Sequence, residues 1–190
     1  ILVNINPAYR LFELEYALKL AGCRAIISAE RLKTSKYLEM LQALAPELDA
    51  CAAGALRAAR LPALEFVIRL GDEKTAGMLN YGDVVASGRA ALAKAPLAAP
   101  ALDCHDAINI QFTSGTTGTP KGVMLTHTNL VSDCFLAQGN LDIYHTDVFY
   151  ALLPIHHSYT MLAVFLEAIS VGAEIVFGQR MVTKAILKDL

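Results

Sequence analysis

Short apolar runs alternate with helix-length segments along the whole chain, and this alternation constrains the fold more than any other feature of the sequence. "ILVNI" reads as a strand interrupted by Asn6-Pro7. "RLFELEYALKLAG" reads as a helix with Leu11, Leu14, Leu18 and Ala21 on one face and Gly22 as its stop, and "CRAIIS" as the next strand. Strand, helix and strand at this spacing predict a parallel crossover unit. A second helix is expected over "TSKYLEMLQALA", up to Pro46, with Tyr37, Leu41 and Leu44 facing inward. The stretch from Asp49 to Arg60 reads either as helix or as surface connection. "ALEFVIRL" is a strand closed by Gly71-Asp72, and "YGDVVASGRAALAKA" a helix starting near Asp83. The Pro/Ala connector "APLAAPAL" is the clearest seam.

Beyond the seam, "AINIQF" and "GVMLT" read as strands and "NLVSDCFLAQ" as a helix capped by Thr126 or Thr128 and ended at Gly139. The strand "DVFYALLP", the buried helix "YTMLAVFLEAISVG" and the strand "AEIVF" follow. The fold class expected is α/β: a layered domain with a largely parallel sheet and helices on its faces.

Composition removes several functions. A hydrophobic share of 55%, 18% charged residues and a net charge of −2 describe neither a disordered tail nor a nucleic-acid-binding surface. Cys23, Cys51, Cys104 and Cys134 show no CxxC spacing, so reduced packing cysteines in a cytosolic protein are expected, with no zinc site. The most apolar stretch carries Glu167 and Glu174 and reads as core, not as a membrane span. The chain begins inside a strand-like run without methionine and closes inside the helix-like "TKAILKDL". It is therefore expected to be an internal piece of a longer protein.

One loop stands out. Residues 112 to 122, "FTSGTTGTPKG", hold five hydroxyl side chains, three glycines and one lysine. A hairpin turn needs far fewer glycines and none of the hydroxyls. Glycines let successive backbone N–H groups converge on an anion, hydroxyls donate to phosphate oxygens, and Lys121 adds a compact charge. Phosphate binding fits every residue type present, and turn geometry alone is the competing reading. The GxxxxGK[ST] loop is excluded, because Gly122 follows Lys121 where a magnesium-binding hydroxyl is required, and no GxGxxG is present.

The string "FTSGTTGTPKGV" closely resembles the phosphate-loop signature of the acyl-adenylate-forming enzymes, which include acyl-CoA synthetases, firefly luciferase and peptide-synthetase adenylation domains. "VNINPAYRLFELEYALKLAGCRAIIS" resembles the upstream segment of fatty acyl-CoA synthetases. "MLTHTNL" resembles the family's helix start, and "LLPIHHSYTM" its next motif, commonly L-P-x-F-H-x-x-G. His156 stands where phenylalanine is common and Thr160 where glycine is common, so chain-length preference does not carry over. The part before the seam looks most like medium-chain enzymes and the part after it like long-chain ones. Natural divergence and a join of two parent sequences both remain open.

The resemblance implies a large N-terminal AMP-binding domain, here split into a first α/β portion (1–102) and a phosphate-loop and acyl-pocket portion (103–190), with no C-terminal domain. It implies ATP-dependent, magnesium-assisted activation of a carboxylic acid, expected to be a fatty acid, to acyl-AMP and then to acyl-CoA, with coenzyme A as co-substrate. Thr113 is the implied magnesium contact. Ser114, Gly115, Thr116, Thr117, Gly118 and Lys121 are the implied phosphate contacts, with Lys121 also catalytic. His157 matches the motif histidine near the acid, against a competing reading as a buried, hydrogen-bonded core histidine. His105, His127 and His145 read as surface or capping residues. The alternatives are an adenylation domain loading a carrier protein, or a non-catalytic nucleotide-binding module if the chain is complete. A cytoplasmic location is expected, with peripheral membrane contact and self-association of the piece allowed and no nucleic-acid partner. The piece alone is expected to be inactive.

Overall fold

The computed structural model describes residues 1–113 and 119–178, and two compact units are distinguishable in it. One consists of residues 7–101 with 112–122. The other gathers 1–6, 102–111 and the chain from 123 onward. Strand β1 (Leu2–Asn4) belongs to the second unit, although it comes first in the chain.

The unit built on residues 7–101 begins with α1 (Leu11–Leu20). The Glu13 carboxylate accepts from the Arg10 backbone N–H at 3.1 Å, satisfying a donor just ahead of the first turn. Its buried face is Leu14, Ala17 and Leu18; Leu11, expected to face inward, is exposed. The C-terminus is closed by two backbone bonds, Cys23 N–H to Leu18 and Gly22 N–H to Lys19, with Gly22 left-handed at φ 59°.

Strand β2 (Ala25–Ser28) follows, then a hairpin of β3 (Arg31–Leu32) and β4 (Ser35–Lys36); the sequence reading had placed residues 34–36 inside the following helix. Helix α2 (Tyr37–Leu44) buries Leu38, Leu41 and Leu44, while Tyr37 turns aside to donate its hydroxyl to the Pro7 carbonyl at 3.0 Å. After a 3-10 turn at Pro46–Asp49, the chain from 50 to 65 carries no regular element, which resolves the ambiguity there as connection. It is not solvent-exposed throughout, since Leu56, Leu61 and Leu64 are buried core residues.

Strand β5 (Phe66–Arg69) pairs in parallel with β2, Ala25 opposite Phe66, and β6 (Leu79–Asn80) pairs in parallel with β5. The crossover is therefore β2–α2–β5. The expected pairing of the first two strands does not occur, because β1 lies in another sheet. Arg69 is 7% exposed and donates to Thr75 Oγ1 at 2.7 Å and to Glu30 at 3.0 Å, which compensates its buried charge. Helix α3 (Tyr81–Lys94) starts two residues ahead of Asp83, where the sequence reading placed its start, and is capped by Asn80, whose side chain accepts from Gly82 N–H at 3.0 Å. No residue of α3 is buried.

β1, β7 (Ala107–Thr113) and β8 (Lys121–Thr126) form one sheet in the order β1-β7-β8, with β1 and β7 parallel and Asn4 opposite Gln111; residues 112–113 and 121–122 of these strands are counted with the unit built on residues 7–101. Helix α4 (His127–Gln138) starts at Thr126, the first of the two expected caps. Its hydroxyl accepts from Asn129 N–H at 3.1 Å, while the Asn129 side chain accepts from Thr126 N–H at 3.0 Å. Strand β9 (Val148–Ala151) leads through a π-helical stretch, Thr160–Leu166, and α5 (Glu167–Val171) to β10 (Glu174–Phe177). β9 and β10 pair in parallel, so this crossover matches the sequence reading. The architecture is α/β, with parallel sheets flanked by helices. Among the described residues no helix is long and apolar enough to cross a membrane. The helix-like "TKAILKDL" lies outside them.

Candidate functional site

Strand pairing brings the two ends of the hydroxyl-rich loop together. Thr113 is the last residue of β7 and Lys121 the first of β8, and these strands are neighbours in one sheet. The Thr113 hydroxyl donates to the Lys121 carbonyl oxygen at 3.5 Å, a long and weak bond. Both side chains are exposed, and Lys121 has no ion-pair partner among the described residues. Behind them Phe112 is buried edge-on against Tyr9, with ring centroids 6.4 Å apart, which anchors the loop's first residue. Ser114, Gly115, Thr116, Thr117 and Gly118 lie outside the described residues.

His157 lies in the other unit, on the turn between β9 and the π-helical stretch. Its backbone N–H donates to the Pro154 carbonyl at 2.9 Å, and its own carbonyl accepts from Met161 N–H at 3.0 Å. The ring is exposed, so His157 is not the buried core histidine of the competing reading. His156 beside it is partly buried, and burial, followed by the neighbouring His157 charge, pushes its pKa down.

Three features escaped the sequence reading. Asn109 and Gln111, two amides spaced to share one face of β7, are each 5% exposed. The signal was present: "AINIQF" places polar residues two apart in an otherwise apolar strand. Second, Asp103, Cys104 and His105, all exposed, bring an oxygen, a sulfur and a nitrogen within 4.8 Å of one another. His105, read as partnerless, also has its Nδ1 3.4 Å from the Thr128 hydroxyl, and Thr128 holds the Cys104 carbonyl through two 3.0 Å bonds. Third, Glu167 is 2% exposed, and one of its oxygens has no hydrogen-bond partner among the described residues. Burial first, and then the Glu167 charge, pushes the Cys134 thiol pKa up. Glu174, by contrast, is exposed on β10.

The sequence pattern of the AMP-binding enzyme family matches residues 1–190. The chain belongs to the AMP-binding enzyme family. It is 46% identical over 135 residues to the mitochondrial medium-chain acyl-CoA ligase ACSF2 of Bos taurus, covering 70% of this chain and 22% of that protein. It is 31% identical over 191 residues to a Bacillus subtilis protein named as an acyl-CoA synthetase, YngI, covering 100% of this chain and 35% of that one. The chain thus spans between about a fifth and a third of the length of these relatives. The crystal structure of the anthranilate CoA ligase AuaEII in complex with anthranoyl-AMP superposes with a TM-score of 0.76 at 23% identity, over 100% of this chain and 33% of that one, which establishes the AMP-binding fold.

Proposed function

We propose that this chain supplies the ATP-phosphate loop and part of the acid pocket of a ligase that activates a carboxylic acid, a fatty acid, and transfers the acyl group to coenzyme A. One observation carries the reading: "FTSGTTGTPKG" sits between two neighbouring strands of an AMP-binding family chain, with Thr113 and Lys121 adjacent at its mouth. The name of the 46% identical relative supports a fatty acid as substrate.

In the first step an acid carboxylate oxygen bonds to the α-phosphorus of ATP while the bond to pyrophosphate breaks. In the second, the coenzyme A thiol, losing its proton, displaces AMP from the acyl carbon. Charge accumulates on the departing pyrophosphate. Lys121 and the loop's amides and hydroxyls, from Ser114, Gly115, Thr116, Thr117 and Gly118, are suited to stabilise it. His157, in the stretch that resembles the family's next motif, is assigned to the acid in this reading.

Thr113 offers an exposed hydroxyl held only by a long bond among the described residues, a hard oxygen donor of the kind magnesium prefers. Bound there, magnesium would supply charge neutralisation at the phosphates. The segments 1–102 and 103–190 are portions of one AMP-binding domain in this reading. Four free cysteines support a reducing, cytoplasmic compartment, with peripheral membrane contact as a finer proposal. Val148 on β9 and Phe177 on β10, 55% and 56% exposed, favour self-association of the chain in isolation.

The test is acid-dependent exchange of labelled pyrophosphate into ATP by the full-length protein carrying this segment, across a panel of acids. Exchange with fatty acids, abolished when the loop is altered, is the expected result. Exchange that ignores the acid would remove the reading.

A further inference from the structure

An amide inside a strand core is costly unless both of its ends are bonded. Gln111 meets that condition in a directional way. Its side-chain Nε2 donates to the backbone carbonyl of His156, and its Oε1 accepts from Asn4 Nδ2 at 3.1 Å. The His156 carbonyl has only lone pairs to offer, so it dictates which end of the Gln111 amide faces it. The Gln111 oxygen is then left toward β1, where only a donor suits, and Asn4, its register partner, presents one. Asn4 Nδ2 also lies 3.6 Å from Met161 Sδ, and the Met161 N–H in turn holds the His157 carbonyl. The turn that carries the two histidines is therefore held locally by Pro154 and Met161 and clamped to the sheet by Gln111.

We propose that Gln111 is a positioning residue for the acid-recognition turn. Its amide fixes the His156 carbonyl and thereby aims the exposed His157 ring, and Asn4 locks the amide in its donating orientation. The inference rests on the reading of His157 as a residue facing the acid. A glutamine that only satisfies a buried carbonyl would matter for stability alone, and the two roles separate experimentally.

Three variants of the full-length protein divide them. Gln111→Met keeps length and removes both bonds, Gln111→Glu keeps the acceptor for Asn4 and removes the donor, and Asn4→Ala removes only the lock. The expected outcome is a KM for the acid raised about tenfold in Gln111→Met and less in Asn4→Ala, while the KM for ATP stays within about twofold, as the loss of one orienting contact implies. Acid and ATP KM values that both stay at the wild-type level, with only a lower melting temperature, would overturn the proposal. So would equal rises in both. If the wild-type protein shows no acid-dependent exchange, the functional reading fails, and the aiming role is decided by NMR of the His157 ring. Its ring resonances should shift or broaden in Gln111→Met and Asn4→Ala, and unchanged resonances in both folded variants would refute the aiming role.

Discussion

The Thr113 hydroxyl stands 3.5 Å from the Lys121 carbonyl oxygen, although the whole hydroxyl-rich loop separates them along the chain. Sheet pairing of β7 with β8 holds these ends together and so meets the entropic cost of closing the loop before any ligand arrives. The residues at the two ends, Thr113 and Lys121, each carry a donor suited to a phosphate oxygen.

Lys121→Ala in the full-length protein is expected to slow adenylation while leaving acid binding nearly unchanged. Losing one such charge-assisted contact costs about 2–4 kcal/mol of transition-state stabilisation, roughly 30- to 1000-fold in rate. Folding should be unaffected, since Lys121 is exposed and has no ion-pair partner among the described residues. Single-turnover formation of acyl-AMP measures this directly, and a wild-type rate would deny the loop its role.

His157→Ala should change the preference among acids of different chain length and leave the melting temperature close to wild type. The ring is exposed, so the substitution belongs to the class that stays within about 0.5 kcal/mol. A marked loss of stability with an unaltered substrate profile would contradict the assignment.

Two glycines should respond to alanine in opposite directions. Gly77 is left-handed at φ +67°, and a Cβ there would lie 2.1 Å from the Leu48 carbonyl oxygen, so Gly77→Ala should destabilise by about 1–3 kcal/mol or more. Gly88 lies inside α3 with nothing within 4 Å of an added Cβ, so Gly88→Ala should stabilise by about 0.5–1 kcal/mol. Urea midpoints of the two variants, measured side by side, check both signs.

Acid should weaken the unit built on residues 7–101 through Glu15. Its carboxylate accepts from Arg60, and from Lys19 at 2.7 Å, and these bonds hold its pKa down to about 2. Between that value and the ordinary carboxylate range near 4.3 the unfolded chain binds the extra proton. The stabilisation is therefore complete above that range and disappears as pH falls toward 2. Glu15→Gln should lower the melting temperature at neutral pH, with the two melting curves converging near pH 2. A constant offset at every pH would sink this account.

Periodicity within a segment is a local property, and the elements that rested on it are found, although Leu11 and Tyr37 leave the faces expected of them. Leu14 and Leu18 mark the buried face of α1, Gly22 its stop, and the apolar runs at 25–28, 66–69, 148–151 and 174–177 are strands. The loop string, with Lys121 and Thr113, is a local feature too: its residue types and their order are the chemical signal on which the proposed phosphate role rests. Choice of partner is different, because it depends on groups far apart in the chain that meet only after folding. Spacing alone suggested β1 beside β2, whereas β1 pairs with β7, bringing Asn4 against Gln111 across 107 positions. Helix α3 starts at Tyr81, ahead of the expected start near Asp83, because the extended Asn80 reaches the Gly82 N–H with its side chain. The exposure of His157 and the clamp from Gln111 to His156 were likewise decided by tertiary structure, since burial and hydrogen-bond direction belong to the assembled sheet and turn and have no counterpart in any local stretch of sequence.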